Sequence, residues 1–386
     1  MRLLKSVVIS ISVLFFAGPT LAQNSFFKFK ISEEGVYKLT PAQANQLGIP
    51  LDQLAFFGYP GMLPQRLDST NITLQEIPSL VVDGELWVYL KGPHQVSYSQ
   101  NDEVRYTHHF FEDSLNYLIG QKTNPKRIEN QPNSDSGMIE FGNWYQWKAL
   151  KGEQINVLNS GKTWFSNPIR QSQSLNFSLS LSSTANRPWI LTGNLMTQSF
   201  ASSTMRVLSG NELLAEVAFD PIPNTTYGIK GQEKSFLTEF TPVNGNLSQI
   251  RFTFQGTGGN SAGYLDYVLV GMPAPLQNLP SGLIQSTQAG KIEVPSDRFA
   301  WEVGDFYQPQ TTSSLEVAVG REFYLFSLAD IKSIPFVETV SLATRASGSS
   351  ELLIVTHPTL RSAAQKLQRH KTSLGISTEI LTTEEV

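Results

Sequence analysis

The sequence predicts a mostly β protein: an α+β N-terminal region and a β-sandwich, followed by an incomplete α/β (βαβ) unit. Three observations carry this. Leu175, Phe177, Leu179 and Leu181 alternate with Asn176, Ser178 and Ser180, the two-residue period of a half-buried strand, and Arg251–Phe254 and Tyr264–Val270 behave likewise. Charged residues are only 16% of the chain, against about 25% in an ordinary soluble protein, and Gly, Pro, Ser, Thr, Asn and Gln fill the difference. The last 36 residues, 351–386, run strand, Pro-started helix, Gly stop, strand.

The elements follow in order. Arg2 and Lys5, the apolar stretch Val7–Ala17 and Thr20-Leu21-Ala22 read as a secretory signal peptide over 1–22, too short to span a bilayer. Its removal takes the formal charge from −4 to −6. An N-terminal β-rich domain is expected over 23–120. Phe27, Phe29 and Ile31 alternate with Lys28 and Lys30, and Glu34-Gly35 is placed as a turn into Val36–Leu39, a hairpin pattern. Thr40-Pro41 opens a short helix over Ala42–Leu47 with Gly48 as its stop. Strands are expected at Leu54–Phe57, Thr73–Ile77, Leu86–Leu90 and Tyr117–Ile119, with Asp83-Gly84 turning between the second and third.

Residues 121–165 are expected to be a linker and aromatic-rich segment carrying Phe141, Trp144, Tyr145, Trp147, Trp164 and Phe165. The β-sandwich is expected over 166–275, a β-rich connecting region over 276–350, and the first βαβ of an incomplete α/β domain over 351–386, with Ser347–Ser350 as the boundary. In that last unit Leu352–Val355 is the first strand; Leu360, Ala363, Ala364, Leu367 and Leu374 recur at helical spacing; Gly375 ends the helix; Ile376–Leu381 is the second strand. A parallel sheet needs further strands and helices on both faces. The unit is therefore expected to be the front of a larger domain or an appendage on another surface.

Composition excludes several chemistries. There is no cysteine, hence no disulfide, thiol nucleophile, iron–sulfur site or thiolate zinc site within these residues. A net negative charge without Lys/Arg clusters excludes nucleic acid as a partner. His108-His109 with Glu112 and Asp113 is the densest group of candidate metal ligands, but neighbours on a strand point opposite ways, and a solvated loop is expected. Asp102-Glu103 lacks the alternating oxygen ligands of a calcium loop and reads as a surface turn. His357, at a strand tip before Pro358, has no thiol partner and reads as structural. Gly161-Lys162-Thr163 resembles the end of a phosphate loop, but Asn156 stands where its first glycine belongs. The aromatics at 144–165 are expected in a core or interface, with sugar stacking as the alternative. The sequons at Asn71, Asn176, Asn224 and Asn246 matter only in a glycosylating host.

Five words, in order, resemble the PorU-type sortase family of the type IX secretion system, gingipain-like cysteine peptidases of the Bacteroidetes. Glu33–Leu39 is similar to the family's opening hairpin, Phe57–Pro64 to its Gly-rich word ending Met-Leu-Pro, and Ile155–Phe165 to a further segment. Tyr264–Tyr267 is similar to the end of its β-sandwich, and Leu353–Pro358 to the first strand of its gingipain-type domain. Lys162 stands where the family usually has Arg, Ser166-Asn167 where it has Gly-Glu, and Leu342–Arg345 departs from its Asn-rich word.

The resemblance implies an activity for a full-length protein. This is cleavage of C-terminal sorting domains from secreted cargo and transfer of the cargo to a lipopolysaccharide-type glycan, through a thioester on a Cys nucleophile with a His base. It places both catalytic groups beyond Val386, so no catalytic, cofactor-binding or metal residue is assigned here and no cofactor is expected. It also implies an exported protein of the periplasm or outer membrane and cell surface. Its partners would be outer-membrane secretion components and secreted cargo, with possible glycan or lipopolysaccharide contact. The alternatives are an exported surface glycan- or protein-binding module and an inactive relic.

Overall fold

The structure, a computed structural model, describes residues 25–68, 73–98, 104–128, 145–273, 281–285, 290–312, 314–317, 321–335, 337–341 and 350–385. The signal peptide, Asn71, Asp102-Glu103, Phe141, Trp144, Leu342–Arg345 and most of the Ser347–Ser350 boundary lie outside the described residues. The chain is mostly β, in two compact units, one over Phe27–Glu338 and one containing the C-terminal βαβ.

The first unit begins with β1 (Ser25–Ile31), β2 (Gly35–Leu39), α1 (Pro41–Leu47), β3 (Leu54–Gly58), β4 (Glu76–Ile77), β5 (Leu80–Val82), β6 (Glu85–Leu90), β7 (His94–Tyr98), β8 (Val104–His108) and β9 (Leu115–Gln121). The expected opening hairpin does not form. β1 pairs with β9, and β2 pairs with β6 in a different sheet. The reason is burial. Val36, Tyr37 and Leu39 are all buried, so β2 needs cover on both faces, which a two-stranded ribbon cannot supply. Asp83 and Gly84, both at positive φ, make the tight turn expected of them, but between β5 and β6; Thr73–Ile77 yields only the two-residue β4. Thr40 caps α1 through a reciprocal capping box with Gln43, and Gly48 ends it at φ 68°.

The sandwich consists of β10 (Tyr145–Lys151), β11 (Ser174–Ser182), β12 (Trp189–Gln198), β13 (Ser203–Ser209), β14 (Glu212–Phe219), β15 (Gln232–Phe240), β16 (Asn246–Gln255) and β17 (Ala262–Pro273). The front sheet runs β10-β17-β12-β15 and the back sheet β11-β16-β13-β14, all antiparallel. This is the strand order of an eight-stranded jelly roll. The aromatic-rich segment thus supplies its first strand, ahead of residue 166: Tyr145, Trp147 and Ala149 are half-buried on one face of β10, and Leu150 is buried on the other. The inner faces meet in a core containing Trp189, Leu191, Leu195, Met205, Val207, Phe252, Leu265 and Val268. Each such side chain contributes about 1.5–3 kcal/mol of burial.

After the sandwich the chain continues through β18 (Gly282–Gln285), β19 (Gly290–Glu293), β20 (Phe299–Glu302), β21 (Gln310–Thr312), β22 (Ser314–Val317), β23 (Glu322–Phe326), β24 (Lys332–Ser333) and β25 (Glu338–Ser341). This region is not a connector. Trp301, Val303, Phe306, Phe326 and Ile334 share one core with Phe29, Leu39, Phe56, Trp87 and Tyr89. Trp87 meets Phe299 and Phe326 edge-on, β24 adds in parallel to β2, and the Tyr307 hydroxyl donates to the Gly58 carbonyl at 3.0 Å. The N-terminal and post-sandwich segments form one body, with the jelly roll inserted between them.

In the second unit, β26 (Leu352–Thr356) and β27 (Thr378–Thr382) pair in parallel on either side of α2 (Arg361–Ser373). Gly375, at φ 84°, closes the helix as expected. Leu353 and Val355 stay about half exposed, as do Leu360 and Leu374.

Candidate functional site

Two places in the first unit concentrate functional chemistry. The first is where the β7–β8 hairpin meets the front sheet of the jelly roll. The hairpin register sets His94 opposite His108. Tyr106 is two residues from His108 on the same face and lies nearly parallel to both imidazoles, 6.1 Å from His94 and 5.7 Å from His108 between centroids. Its hydroxyl is 2.9 Å from His94 Nδ1, and its ring meets Tyr267 of β17 at 4.8 Å. His108 is 9% exposed, and its Nε2 is buried with no hydrogen-bond partner among the described residues. Burial lowers its pKa to about 4, reinforced by the charge of Lys151 and opposed by Asp266. Burial also lowers the pKa of His94, with Glu153 opposing, and raises that of Tyr106.

Beneath the hairpin, the β12–β17 register slips at Asp266, which is a bulge residue, and the bulge turns its carboxylate onto the outer face beside Tyr267. Lys151 Nζ is 3.0 Å from Asp266 Oδ1, and both side chains are 8% exposed. Asn194 Nδ2 donates to Asp266 Oδ2 at 3.2 Å and to Glu233 Oε2 at 2.9 Å, and Glu153 stands 3.6 Å from Lys151. The result is a closed ionic network under an aromatic lid. The contact of Tyr106 with Tyr267 ties the hairpin to the jelly roll above this network.

The second place is a cleft of about 530 Å³ at one end of the sandwich, formed by the loops 199–202, 220–231 and 256–261. These loops are pinned to one another. Ile222 N donates to Ser199 O at 2.9 Å, and Ser199 Oγ lies 3.3 Å from Ser261 Oγ. Gln198 is held between the Lys230 carbonyl and the Tyr264 hydroxyl, and Arg170 Nη1 donates to Gly259 O at 3.2 Å.

The residues singled out in the sequence fall elsewhere or act structurally. Of the group expected in a solvated loop, His109, Glu112 and Asp113 do lie in the loop after β8, whereas β8 ends at His108, whose ring is buried because the hairpin folds onto the sheet. His109 Nδ1 instead accepts from Phe111 N and Glu112 N, closing the turn. Glu112 stands 3.9 Å from Lys30. Among the described residues no cluster of His, Asp or Glu is placed to hold a metal ion. His357 Nδ1 accepts from Thr359 N at 3.3 Å, capping the turn that leads into α2. Residues 160–163 form an exposed turn in which Ser160 Oγ accepts from Lys162 N and Thr163 N. Of the aromatics, Phe165 is fully buried with Met196, Ala262 and Tyr264, and Trp164 is 40% exposed. Trp147 lies so close over Gly271 that a Cβ there would meet its ring at 2.7 Å.

Sequence reasoning missed Lys151, Asp266, Asn194 and the His94–Tyr106–His108 stack, because their partners are set by sheet register and long-range packing. The cleft had one local signal, the turn word Thr257-Gly258-Gly259-Asn260-Ser261.

No family model matches the chain, and no curated protein sequence matches it. Among solved structures it is similar to dimeric latent PorU from Porphyromonas gingivalis, with a TM-score of 0.75 at 16% identity over 94% of this chain and 38% of that one. The chain thus has the PorU-like fold and spans 38% of that structure's length. A carbohydrate-binding module, CBM36 with calcium and xylotriose, aligns with 32% of this chain and 87% of its own at 12% identity. An arabinoxylan arabinofuranohydrolase from Bacillus subtilis aligns with 48% and 33% at 10%. Their TM-scores, 0.22 and 0.21, carry no argument.

Proposed function

We propose that this chain is the non-catalytic N-terminal portion of a type IX secretion sortase. The observation that carries the reading is the agreement of fold with PorU along 94% of the chain, joined by the five sequence words that resemble the family. In this reading the composite β body and its inserted jelly roll position cargo or dock to outer-membrane secretion components. Cleavage of the sorting domain and transfer to a lipopolysaccharide belong to groups outside these residues, since the chain has no cysteine. The βαβ unit is the first of a gingipain-type domain. Its half-exposed Leu353 and Val355 suit a parallel sheet that takes further cover. The secretory signal read at 1–22 supports a location in the periplasm or at the cell surface. No helix among the described residues is long and apolar enough to cross a membrane.

The test is an immunoblot of the producing cells with an antibody against residues 23–350. The expected result is a band far above 42.8 kDa in the outer-membrane fraction. A band near the mass of the chain without its signal overturns the reading and favours a self-contained surface module, for which the jelly-roll cleft is the supporting observation.

A further inference from the structure

We infer that the cleft at the loop end of the jelly roll is a binding site for a neutral oligosaccharide. Its volume, about 530 Å³, lies within the roughly 300–1,000 Å³ of small-ligand sites. The loops that form it are cross-tied by the backbone and side-chain bonds described above, so little ordering entropy is lost when a ligand enters.

Its chemistry selects the ligand class. Among the described residues that line the cleft there is no carboxylate, and Lys230 alone is charged, so a charged ligand finds little complementarity there. What the cleft offers is short neutral polar groups beside exposed apolar faces. Asn260 lines the cleft and is exposed, so its amide can reach a ligand. Thr225 and Thr257 add hydroxyls at the rim. Phe200 on the first loop and Ile229 on the second both line the cleft and are each 59% exposed. An aromatic side chain left in water on a pinned loop is a contact surface with two rotatable bonds. The Phe200 face matches the C–H face of a pyranose, and amide and hydroxyl groups match its hydroxyls. A peptide would instead look for a free strand edge or a charge to pair with, and neither lines this cleft.

This inference does not rest on the sortase reading, and either can fail alone. The test uses the full chain, applied to a glycan array and then titrated calorimetrically with the neutral trisaccharides cellotriose, mannotriose and chitotriose and with the best array binder. Saturable binding is expected. Phe200→Ala and Asn260→Ala should each weaken it about tenfold with the melting temperature unchanged, since both side chains are exposed. Three results would each overturn the inference: no neutral glycan bound, binding indifferent to both substitutions, or a peptide library occupying the cleft while no saccharide does.

Discussion

Replacing His108 by Phe should flatten the acid side of the stability profile. The Nε2 atom has no hydrogen-bond partner among the described residues, so the substitution removes no bond there, and a phenyl ring keeps the packing against Tyr106 and Phe110. In the folded protein His108 takes up its proton only at about 4, whereas the unfolded chain does so at the ordinary 6.5. Between these values the unfolded state binds the extra proton. The stabilisation is therefore complete above pH 6.5 and is lost as the pH falls toward 4, at about 1.4 kcal/mol per pH unit. The loss from this residue is about 2 kcal/mol by pH 5 and about 3 kcal/mol by pH 4. Urea denaturation of the wild type and His108→Phe at pH 7, 6, 5 and 4 measures it. The two should lie within about 1 kcal/mol at pH 7, with the variant ahead by about 2 kcal/mol at pH 5. Parallel pH profiles, or an imidazole resonance of His108 that titrates near 6.5, would refute the burial argument.

Two further outcomes are expected. Asp266→Ala leaves the buried Lys151 with only the more exposed Glu153, at 3.6 Å, as counter-charge and should cost about 3 kcal/mol in denaturant unfolding, while Lys151→Met/Asp266→Leu together should cost clearly less than the two single changes summed; additive costs would mean that the pair is not coupled. Phe165→Ala should destabilise by about 3–5 kcal/mol, whereas Trp164→Ala, at a half-open site, should stay within about 1 kcal/mol; the reverse order in thermal melts would show that the packing side of this aromatic pair has been misassigned.

Local chemistry made much of the chain legible. The alternation at 175–181 and 251–254, the cap Thr40 with the stop Gly48, the turn Asp83-Gly84 and the Gly375 helix end all sit where the residues place them, because each depends on neighbours within a few positions; the strand at 264–270 is present, but it is buried almost throughout and bulged at Asp266 rather than alternating. The chemistry the chain lacks was equally readable, since no fold supplies a missing cysteine. Tertiary structure decided the rest. Trp87 packs edge-on against residues more than two hundred positions away, which joins the N-terminal and post-sandwich segments into one core, and no local pattern records such a separation. The buried β2 strand took partners in a separate sheet from β1, because a strand covered on both faces is placed by what covers it. Register alone set Asp266 against Lys151, and the folding of β7–β8 onto the sheet turned His108 from an apparent loop residue into a buried base. Strand periods and caps are short-range and are written in the sequence. Which sheet a strand joins, and which charges end up facing each other, follows from apolar burial summed over the whole chain, and that exists only once the chain has folded.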